Sequence, residues 1–282
     1  MRLATFKTAA QGASYGIVTG SGIVDLRRYL GNQYPDLKSL IAGNGFAQAA
    51  KHLTAAADYK QSDVIWLPVL PNPDKIVCVG LNYEEHRAET GRDKTEQPAL
   101  FLRVPESQVG HKQPIVRPRE SAQLDYEAEI AVIIGTAGRR ISQKDAWGHI
   151  AGYSCYNDGS VREWQRHTIQ WTAGKNFAHT GGFGPWMVTV DDIPPGTVMT
   201  LSCRLNGQQM QHATTEQMIF KIPKLIEYIS SFTTLLPGDV IVTGTPGGVG
   251  ARRNPPVWMK PGDKVEIEID KVGVLENSIA DG

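Results

Sequence analysis

The chain has 282 residues, and its length, composition and charge exclude several classes of protein. This size predicts one large domain with a small additional unit. The 29 basic and 29 acidic residues balance and form no long like-charged block, which excludes the surface of a nucleic-acid or anionic-membrane binder. Without a signal-like or bilayer-spanning apolar run, we expect a cytoplasmic protein with no membrane contact. Cys78, Cys155 and Cys203 form no CxxC pair and are predicted to be buried, reduced thiols.

The first part of the chain predicts a small N-terminal α+β domain. Pro68, Pro71 and Pro73 follow it and disfavour both a helix and a central strand. We therefore expect a small domain at 1–70 and a catalytic domain at 71–282. The elements predicted before the prolines are strands at 3–6, 15–18 and 23–26 and helices at 37–41 and 46–57.

A short apolar run at 75–79 opens the second part and predicts a buried strand that ends at Gly80. A short helix follows. Asn82 is positioned to cap its first turn, with Glu85 three residues later as in a capping box. Gly91 is positioned to end it, because glycine favours the backbone conformation found after a helix.

From residue 124 onward the pattern is mostly β, without regular strand–helix alternation. This favours a mixed α/β architecture, mainly β, over a doubly wound parallel sheet. The predicted elements are strands at 124–134, 151–156, 186–190, 199–205, 239–243 and 264–269, and a helix at 222–232.

Acidic residues alternate with apolar ones on the first of these strands. Side chains on a strand point to alternate faces, so Asp125, Glu127 and Glu129 are predicted to share one face. Such a face can hold a cation, but it can equally be a solvated surface. Glu266 and Glu268 have the same spacing on another predicted strand with no sign of function.

A further carboxylate, Asp158, stands where the strand at 151–156 ends in an Asn-Asp-Gly turn. At the end of a neighbouring strand it can join the glutamates in an all-oxygen site, which suits Mg²⁺ or Mn²⁺ and not zinc. A plain turn explains the same residues. Arg162 and Gln165 follow at helical spacing.

His86 and Glu89 are three residues apart on the predicted helix. A carboxylate bonded to an imidazole fixes its tautomer and builds a general base, although a surface pair has the same spacing. Lys175 is another candidate. The glycine-rich loop at 243–250 lacks the Gly-Lys-Ser/Thr ending of a phosphate loop. Its backbone and the Thr245 hydroxyl can still bind a carboxylate, and a tight turn is the alternative.

In their order, these segments resemble the fumarylacetoacetate hydrolase family. The resemblance covers residues 75–278 and includes a series of motifs instead of a single one. The motifs are GLNYEEH at 80–86, PALF at 98–101, DYEAEI at 125–130, Gly152-Tyr153 with Asn157-Asp158, 162–165, Gly174-Lys175, Gly184-Pro185-Trp186, Asn206-Gly207 with Gln211, and PGDVIVTGTPGGVG at 237–250.

The resemblance implies a mixed β-roll catalytic domain behind a small N-terminal domain, and a homodimer. It also implies a role for each candidate residue. The metal carboxylates are Glu127, Glu129 and Asp158, the base dyad is His86 with Glu89, and Lys175 is catalytic. By the same resemblance, Arg162, Gln165, Lys175 and Thr245 hold the substrate. Gly244 and His179 are further candidates for substrate binding.

The chain departs from the family pattern near Lys175. Members often have Lys-Ser-Phe-Asp there, whereas this chain has Asn176, Ala178 and then His179. An acidic group is therefore missing, and His179 is predicted to contact substrate in its place. Arg103 stands where lysine is frequent. Gly159 and Val161 also differ from the common residues, and we expect these two changes to be minor.

The reaction expected from the sequence is metal-dependent hydrolysis of a carbon–carbon bond in a 2,4-dioxo acid, such as an acylpyruvate, fumarylpyruvate or a sugar-derived acid. His86 would activate water and the products would be pyruvate and a carboxylic acid. Decarboxylation of an oxaloacetate-like acid and a tautomerase or 2-hydroxymuconate-type isomerase reaction are the nearest alternatives. A non-catalytic metal-binding protein is the alternative from another class.

Overall fold

A computed structural model of the protein describes residues 1–9 and 12–282. Its strands are β1 (Arg2–Lys7), β2 (Ala13–Thr19), β3 (Gly22–Asp25), β4 (Ile65–Trp66), β5 (Ile76–Gly80), β6 (Ala99–Arg103), β7 (Gln108–Val109), β8 (Ile115–Arg117), β9 (Leu124–Asp125), β10 (Ala128–Ile134), β11 (Ile150–Asn157), β12 (Ser160–Val161), β13 (Gly181–Thr189), β14 (Thr200–Leu205), β15 (Gln208–Thr214), β16 (Val240–Val242), β17 (Lys264–Ile269) and β18 (Gly273–Asp281). The helices are α1 (Arg27–Leu30), α2 (Leu37–Ala42), α3 (Phe46–Ala50), α4 (Glu84–Thr90), α5 (Arg162–Gln165), α6 (Thr172–Lys175) and α7 (Ile222–Phe232).

The large sheet has the order β3-β2-β1-β13-β11-β10-β16-β5-β6, with β4 beside β1 and β7 beside β13. Most neighbours in it are antiparallel, and β16 with β5 and β13 with β7 are parallel. The mixed, mainly β fold class is therefore confirmed. Strands from the first 70 residues continue this sheet, because β1 pairs with β13. The division into domains 1–70 and 71–282 stays a prediction.

A second sheet has the order β15-β14-β17-β18-β8, and β9 pairs with β12 in a short ladder. Apolar side chains from both large sheets form one buried cluster, which includes Ile130 and Val132 of β10 and Leu201 and Ile267 of the second sheet. Strand β10 has a neighbouring strand on each side within the large sheet, and apolar side chains cover its faces. Every residue of β10 is therefore buried.

Two helices show how local sequence sets the elements. In α7, Ile222, Leu225, Ile226 and Ile229 are buried, and their spacing of three and four residues places them on one face. The predicted bounds of this helix are confirmed. Helix α4 ends as expected at Gly91, whose φ of 69° lies in the left-handed region.

The register of the large sheet brings several strand ends together. Ala128 at the start of β10 pairs with Asn157 at the end of β11. Strand β16 is antiparallel to β10 and parallel to β5, so the carboxyl ends of β16 and β5 lie at the same edge. The segments that follow β5, β11 and β16 therefore converge beside Glu127 and Glu129.

Three local predictions are wrong. The strand expected at 124–134 is interrupted after Asp125, and the helix expected at 46–57 ends at Ala50. Asn82 does not cap α4, whose N-cap is Tyr83 without a side-chain hydrogen bond. Instead, the Asn82 amide donates to the carbonyl oxygens of Phe220 and Thr243, at 3.0 and 2.7 Å. Because carbonyl groups of distant chain segments bind the Asn82 side chain, it does not cap the helix.

Cys78, Cys155 and Cys203 are buried free thiols, as predicted. Burial raises the pKa of Cys155 to about 12, which keeps its sulfur protonated near neutral pH. Within the residues that the structure describes, no helix is long and apolar enough to cross a membrane.

Candidate metal centre and active site

Glu127, Glu129 and Asp158 form a compact cluster of buried carboxylates. One oxygen from each lies within 4.8 Å of the other two. Glu127 immediately precedes β10, Glu129 is the second residue of β10, and Asp158 follows β11. The backbone N–H of Asp158 donates to the Glu127 carbonyl oxygen at 2.9 Å, which ties the two strand ends together. The predicted metal-ligating residues are therefore brought to one point.

Two cations neutralise Glu127. Lys175 Nζ lies 2.5 Å from one of its carboxylate oxygens, and Arg162 Nη2 lies 2.7 Å from the other. Burial alone would raise the pKa of Glu127, but Arg162 and Lys175 outweigh burial and hold this pKa well below its usual range. Glu127 is consequently ionised and ready to bind a cation.

Glu129 has a different environment. Its carboxylate accepts the Gly244 backbone N–H at 2.5 Å, and among the described residues no cationic side chain forms an ion pair with it. Burial, together with the Asp158 and Glu127 carboxylates, raises the pKa of Glu129 well above its ordinary value. The Lys175 ammonium offsets this effect only in part, so Glu129 is a buried carboxylate without a cationic partner of its own.

A divalent cation fits this donor set. The donors are carboxylate oxygens, which Mg²⁺ and Mn²⁺ prefer, and no sulfur or imidazole joins the triad. A cation among them would also supply the positive charge that Glu129 lacks. Glu127, Glu129 and Asp158 would hold it, in agreement with the prediction.

Asp158 is positioned by two basic side chains. Lys175 Nζ lies 2.6 Å from its Oδ2, and Arg103 Nη1 lies 2.5 Å from its Oδ1. Arg103 is buried and also donates to the Gly159 carbonyl oxygen and the Thr180 hydroxyl, both at 3.0 Å. Its planar guanidinium can reach several acceptors at once, which a lysine ammonium does less well. Sequence analysis noted Arg103 but gave it no role.

Asp125 lies next to this cluster but does not join the triad. Its carboxylate binds Arg162 Nε at 2.8 Å and accepts the backbone N–H groups of Gly250 and Ala251 at 2.8 and 2.9 Å. Arg162 also binds Glu127, so Asp125 and Glu127 lie side by side although the chain leaves the strand between β9 and β10. Asp125 thereby orients Arg162 toward Glu127.

The predicted dyad is present on α4. His86 Nδ1 and Glu89 Oε1 are 2.6 Å apart, and Glu89 Oε2 accepts the Gly248 backbone N–H at 3.0 Å. A carboxylate only accepts hydrogen bonds, so Nδ1 carries the proton and Nε2 presents its lone pair. The loop at 243–250 thus fixes Glu89, and Glu89 fixes the imidazole.

A cavity of about 250 Å³ joins these groups. Arg162 and Gln165 lie on its wall and contact each other, with Nη1 and Oε1 2.9 Å apart. Thr245 lies there too, its hydroxyl donating to the Ala128 carbonyl oxygen and accepting from Gln211, both at 2.9 Å. The predicted site residues that line the cavity are His86, Glu127, Glu129, Arg162, Gln165, Lys175 and Thr245.

Two residues expected at the substrate lie elsewhere. The Gly244 N–H is directed at Glu129, so this glycine acts on a metal ligand and does not line the cavity. His179 is exposed, with a φ of 59°, and is also absent from the cavity wall. Its backbone bonds Glu106 and Val116. The structure therefore does not bring its imidazole to the cavity.

Sequence analysis missed several cavity residues. Arg92, Arg166, Trp171 and Arg252 line the cavity and were not among the candidates. One signal was available, since Arg166 stands four residues after Arg162 and therefore on the same side of a helix. The others lie on segments that only the fold brings together.

The chain belongs to the fumarylacetoacetate hydrolase family of enzymes. The model of the fumarylacetoacetate (FAA) hydrolase C-terminal region matches residues 75–280. This confirms the resemblance drawn from the motifs and agrees with the buried carboxylate triad.

Among curated proteins, the chain is 37% identical over 287 residues to human oxaloacetate tautomerase FAHD2A, mitochondrial, covering 99% of this chain and 91% of that protein. It is 41% identical over 226 residues to oxaloacetate tautomerase YisK of Bacillus subtilis, covering 78% and 75%. A solved maleylpyruvate hydrolase from Sphingobium, in complex with manganese(II) and pyruvate, has a TM-score of 0.82 at 29% identity, covering 100% of both chains.

Proposed function

We propose that this chain is a divalent-metal-dependent enzyme that interconverts the keto and enol forms of oxaloacetate. One observation carries the proposal: a single cavity is lined by His86, Lys175 and two carboxylates of the metal triad. The names of relatives that are 37% and 41% identical favour oxaloacetate tautomerisation. Hydrolysis is the reaction expected from sequence, with tautomerisation as an alternative, whereas the names of these relatives favour tautomerisation over hydrolysis.

The 2-oxo acid headgroup, which all candidate substrates have in common, binds at the polar end of the cavity. A bound divalent cation would supply positive charge to the substrate carboxylate and 2-oxo oxygen. The Lys175 ammonium lies beside the Glu127 and Asp158 carboxylates and stabilises negative charge that develops on the 2-oxo oxygen. Arg162 and Gln165 are fixed by their mutual hydrogen bond and orient the substrate carboxylate.

Proton transfer is assigned to His86. Its Nε2 removes a proton from C3 of the keto acid, and the imidazolium then gives a proton to the 2-oxo oxygen. One C–H bond breaks and one O–H bond forms, so no atoms or electrons are gained or lost. Glu89 holds the imidazole in the required tautomer through the 2.6 Å contact with Nδ1.

Hydrolysis of a 2,4-dioxo acid is the second candidate. The His86–Glu89 dyad can also activate water, and the similarity to a maleylpyruvate hydrolase favours this chemistry. In this reaction water would add to the 4-carbonyl, the C3–C4 bond would break, and pyruvate and a carboxylic acid would leave. The two reactions share the enolate and differ in whether a carbon–carbon bond breaks.

The test is a product assay with Mn²⁺-loaded and Mg²⁺-loaded protein. Decay of the enol form of oxaloacetate is followed by its near-ultraviolet absorbance, while pyruvate and carbon dioxide are measured in the same samples. We expect fast enol–keto exchange with neither product above the uncatalysed level. Exchange that is no faster than in buffer contradicts the proposal, as does release of carbon dioxide with every turnover.

Two further assays sharpen this result. Acetylpyruvate and fumarylpyruvate are offered under the same conditions, and pyruvate release from either one at a higher kcat/KM would make hydrolysis the main reaction. His86→Gln should slow enol–keto exchange by about 100-fold or more, because it removes the base. The matched control is His212→Gln, which changes a histidine outside the cavity and should leave the rate unchanged.

The homodimer also remains a proposal. Its support is the family resemblance and the edge strand β6, where Leu102 and the adjacent Val104 are 55% and 45% exposed. Light scattering after size exclusion should give twice the 30.9 kDa of one chain. A mass of one chain at micromolar concentration would contradict it.

A further inference from the structure

Three arginines surround the mouth of the cavity, and the proposed reaction has not assigned them a role. Arg92, Arg166 and Arg252 line the cavity together with Arg162 and Lys175. We refer to Arg92, Arg166 and Arg252 as the arginine rim. They are exposed side chains, whereas Arg162 and Lys175 are buried.

The rim is assembled from chain segments far apart in sequence. Arg92 follows the glycine that ends α4, Arg166 follows α5, and Arg252 belongs to a short 3₁₀ turn at Gly250–Arg252. Arg252 Nη2 reaches the Thr90 carbonyl oxygen at 3.5 Å, at the limit of a hydrogen bond. The fold therefore gathers three independent positive charges around one opening.

An aromatic side chain, Trp171, packs against Arg92 of the arginine rim. The Arg92 guanidinium lies 5.2 Å from the centre of the Trp171 ring, within the range of a cation–π contact. Trp171 in turn lies directly over Gly80, where an added Cβ would be 2.2 Å from the ring. A side chain at position 80 would displace the tryptophan, so the glycine that ends β5 allows this support.

Among the described residues, the arginine rim has no ion-pair partner. Arg103 and Arg162 each form ion pairs with a carboxylate of the site. In the described ranges 1–9 and 12–282, none of the three rim arginines forms an ion pair. Burial and the neighbouring Arg162, Arg252 and Arg92 lower the pKa of Arg166 from its usual value. Asp125 offsets these charges in part, but it is already paired with Arg162. Like charges are thus crowded at the cavity mouth with no ion-pair partner of their own among the described residues.

We propose that the arginine rim binds the second carboxylate of a dicarboxylic 2-oxo acid and so selects dianionic over monoanionic substrates. The inference rests on the proposed function, because it assumes that the carboxylate triad end of the cavity takes the 2-oxo acid headgroup. That headgroup is common to all 2-oxo acids. Discrimination among them must therefore come from contacts with the distal end of the substrate.

The chemistry of the rim suits a carboxylate. A guanidinium offers a planar pair of N–H donors that matches two carboxylate oxygens, and it remains charged at all physiological pH values. Arginines on three separate segments can approach one carboxylate from different directions. An uncharged distal group, such as a methyl, would leave the crowded guanidiniums without an anion.

The test measures binding with two probes that differ only at the distal end. Malate and 2-hydroxybutyrate share a 2-hydroxy acid headgroup, but only malate has a second carboxylate, and neither carries the 2-oxo group that undergoes tautomerisation. Isothermal titration calorimetry of Mn²⁺-loaded protein at constant ionic strength should give tighter binding of malate, by about tenfold or more. Equal affinities of the native protein for the two probes overturn the inference.

Variants then assign the effect to the rim. Arg166→Gln and Arg252→Gln should each weaken malate binding by about tenfold and change 2-hydroxybutyrate binding by less than about twofold. Arg119→Gln, an exposed arginine outside the cavity, is the matched control and should change neither. Arg166→Lys keeps the charge without the planar donor pair and should give an intermediate affinity. If the variants weaken both probes equally or neither probe, the rim does not read the second carboxylate.

The outcome is separable from that of the proposed function. Loss of malate preference in the rim variants, with no enol–keto exchange in the native protein, supports the rim and rejects the tautomerase. Exchange of oxaloacetate with a malate preference that survives all rim variants supports the tautomerase and rejects the rim. Circular dichroism of each variant checks that the fold is retained, which exposed positions favour.

Discussion

Two regions of the molecule carry glutamates two residues apart on a strand, and they differ in nearly everything else. Glu127 immediately precedes β10 and Glu129 belongs to it, and they are 4% and 2% exposed. Glu266 and Glu268 lie on β17, and their side chains are 16% and 45% exposed. The sequence spacing is identical, so spacing does not distinguish a metal site from an ordinary strand.

The difference comes from the position of each strand. Strand β10 lies between β11 and β16 and is buried throughout, so the end of β11 brings Asp158 to the glutamates. Strand β17 alternates buried and half-buried residues, and its glutamates face the exposed side. There Arg204 Nη1 binds Glu268 at 2.6 Å. A third buried carboxylate creates the site at β10, whereas a half-buried arginine neutralises the glutamates of β17.

The largest expected effect is that of a substitution at Glu129, which tests whether the two pairs of glutamates really differ in metal binding. Glu129→Gln removes a ligand charge but keeps an oxygen that can accept the Gly244 N–H. We expect Mn²⁺ affinity to fall by more than about 100-fold and activity to disappear, because one of the three ligands loses its negative charge. The metal-free variant should melt no lower than the metal-free native protein, since an uncompensated buried carboxyl is removed.

Glu268→Gln is the matched control and should retain metal, measured by calorimetry and by metal analysis after dialysis. If Glu129→Gln binds Mn²⁺ as tightly as the native protein does, the triad is not the metal site.

The next effect separates chemistry from metal retention. Lys175 Nζ lies between Glu127 and Asp158, at 2.5 and 2.6 Å. Lys175→Met should lower kcat by about 10²- to 10³-fold, because it removes a cation that stabilises the enolate. Mn²⁺ affinity should be equal or higher, since the ammonium no longer repels the metal. Lys264→Met, which changes an exposed lysine beside Glu266, is the control for both measurements.

A fall in both kcat and metal affinity for Lys175→Met would instead indicate that this lysine organises the carboxylates. The two functions are distinguished by saturating the variant with Mn²⁺: a structural defect in metal binding is rescued, and the loss of enolate stabilisation is not.

Sequence predicted those parts of the molecule that depend on neighbouring residues. The helix at Ile222–Phe232 and the strand at Lys264–Ile269 follow from apolar periodicity within each segment. The glycine stop of α4 follows from the conformational freedom of Gly91. The carboxylate triad required the family resemblance as well, because spacing alone also selected the glutamates on β17.

The errors arose where distant segments supply the partner. Asn82 was expected to cap its own helix, but residues more than 130 positions away in the chain, such as Phe220, bind its amide. Asp125 was expected within a continuous strand, but the strand breaks after it and backbone groups near residue 250 hold its carboxylate. His179 follows Lys175 closely in sequence, yet its left-handed backbone leaves it exposed. These contacts have no signature in the local sequence.

A smaller effect concerns acid stability beside the second sheet. His111 Nδ1 accepts the backbone N–H of Glu276 on β18 at 3.1 Å. Burial, with a minor contribution from Lys112, lowers the pKa of His111 from 6.5 to about 4. The unfolded chain therefore binds a proton at this histidine between about pH 6.5 and 4 while the folded chain does not. Stability is lost as pH falls through this window.

His111→Gln removes the titrating group and keeps an acceptor for the Glu276 N–H. Urea unfolding of metal-free protein at several pH values should show a smaller loss of stability between pH 7 and pH 4 than in the native protein. An unchanged pH dependence would mean that His111 is protonated in the folded state as readily as in the unfolded one.

The smallest expected effect concerns the other pair of glutamates, those of β17. Arg204 binds both glutamates of β17, with Nε 3.7 Å from Glu266 and Nη1 2.6 Å from Glu268. Ion pairs that water still reaches are screened and contribute little, so Arg204→Gln should lower the free energy of unfolding by only about 1 kcal/mol. The shift should shrink further in high salt, because salt screens exposed charges. A loss of several kcal/mol, or any change in Mn²⁺ affinity, would show that the paired glutamates of β17 are coupled to the core or to the metal site, and the contrast between the two strands would then fail.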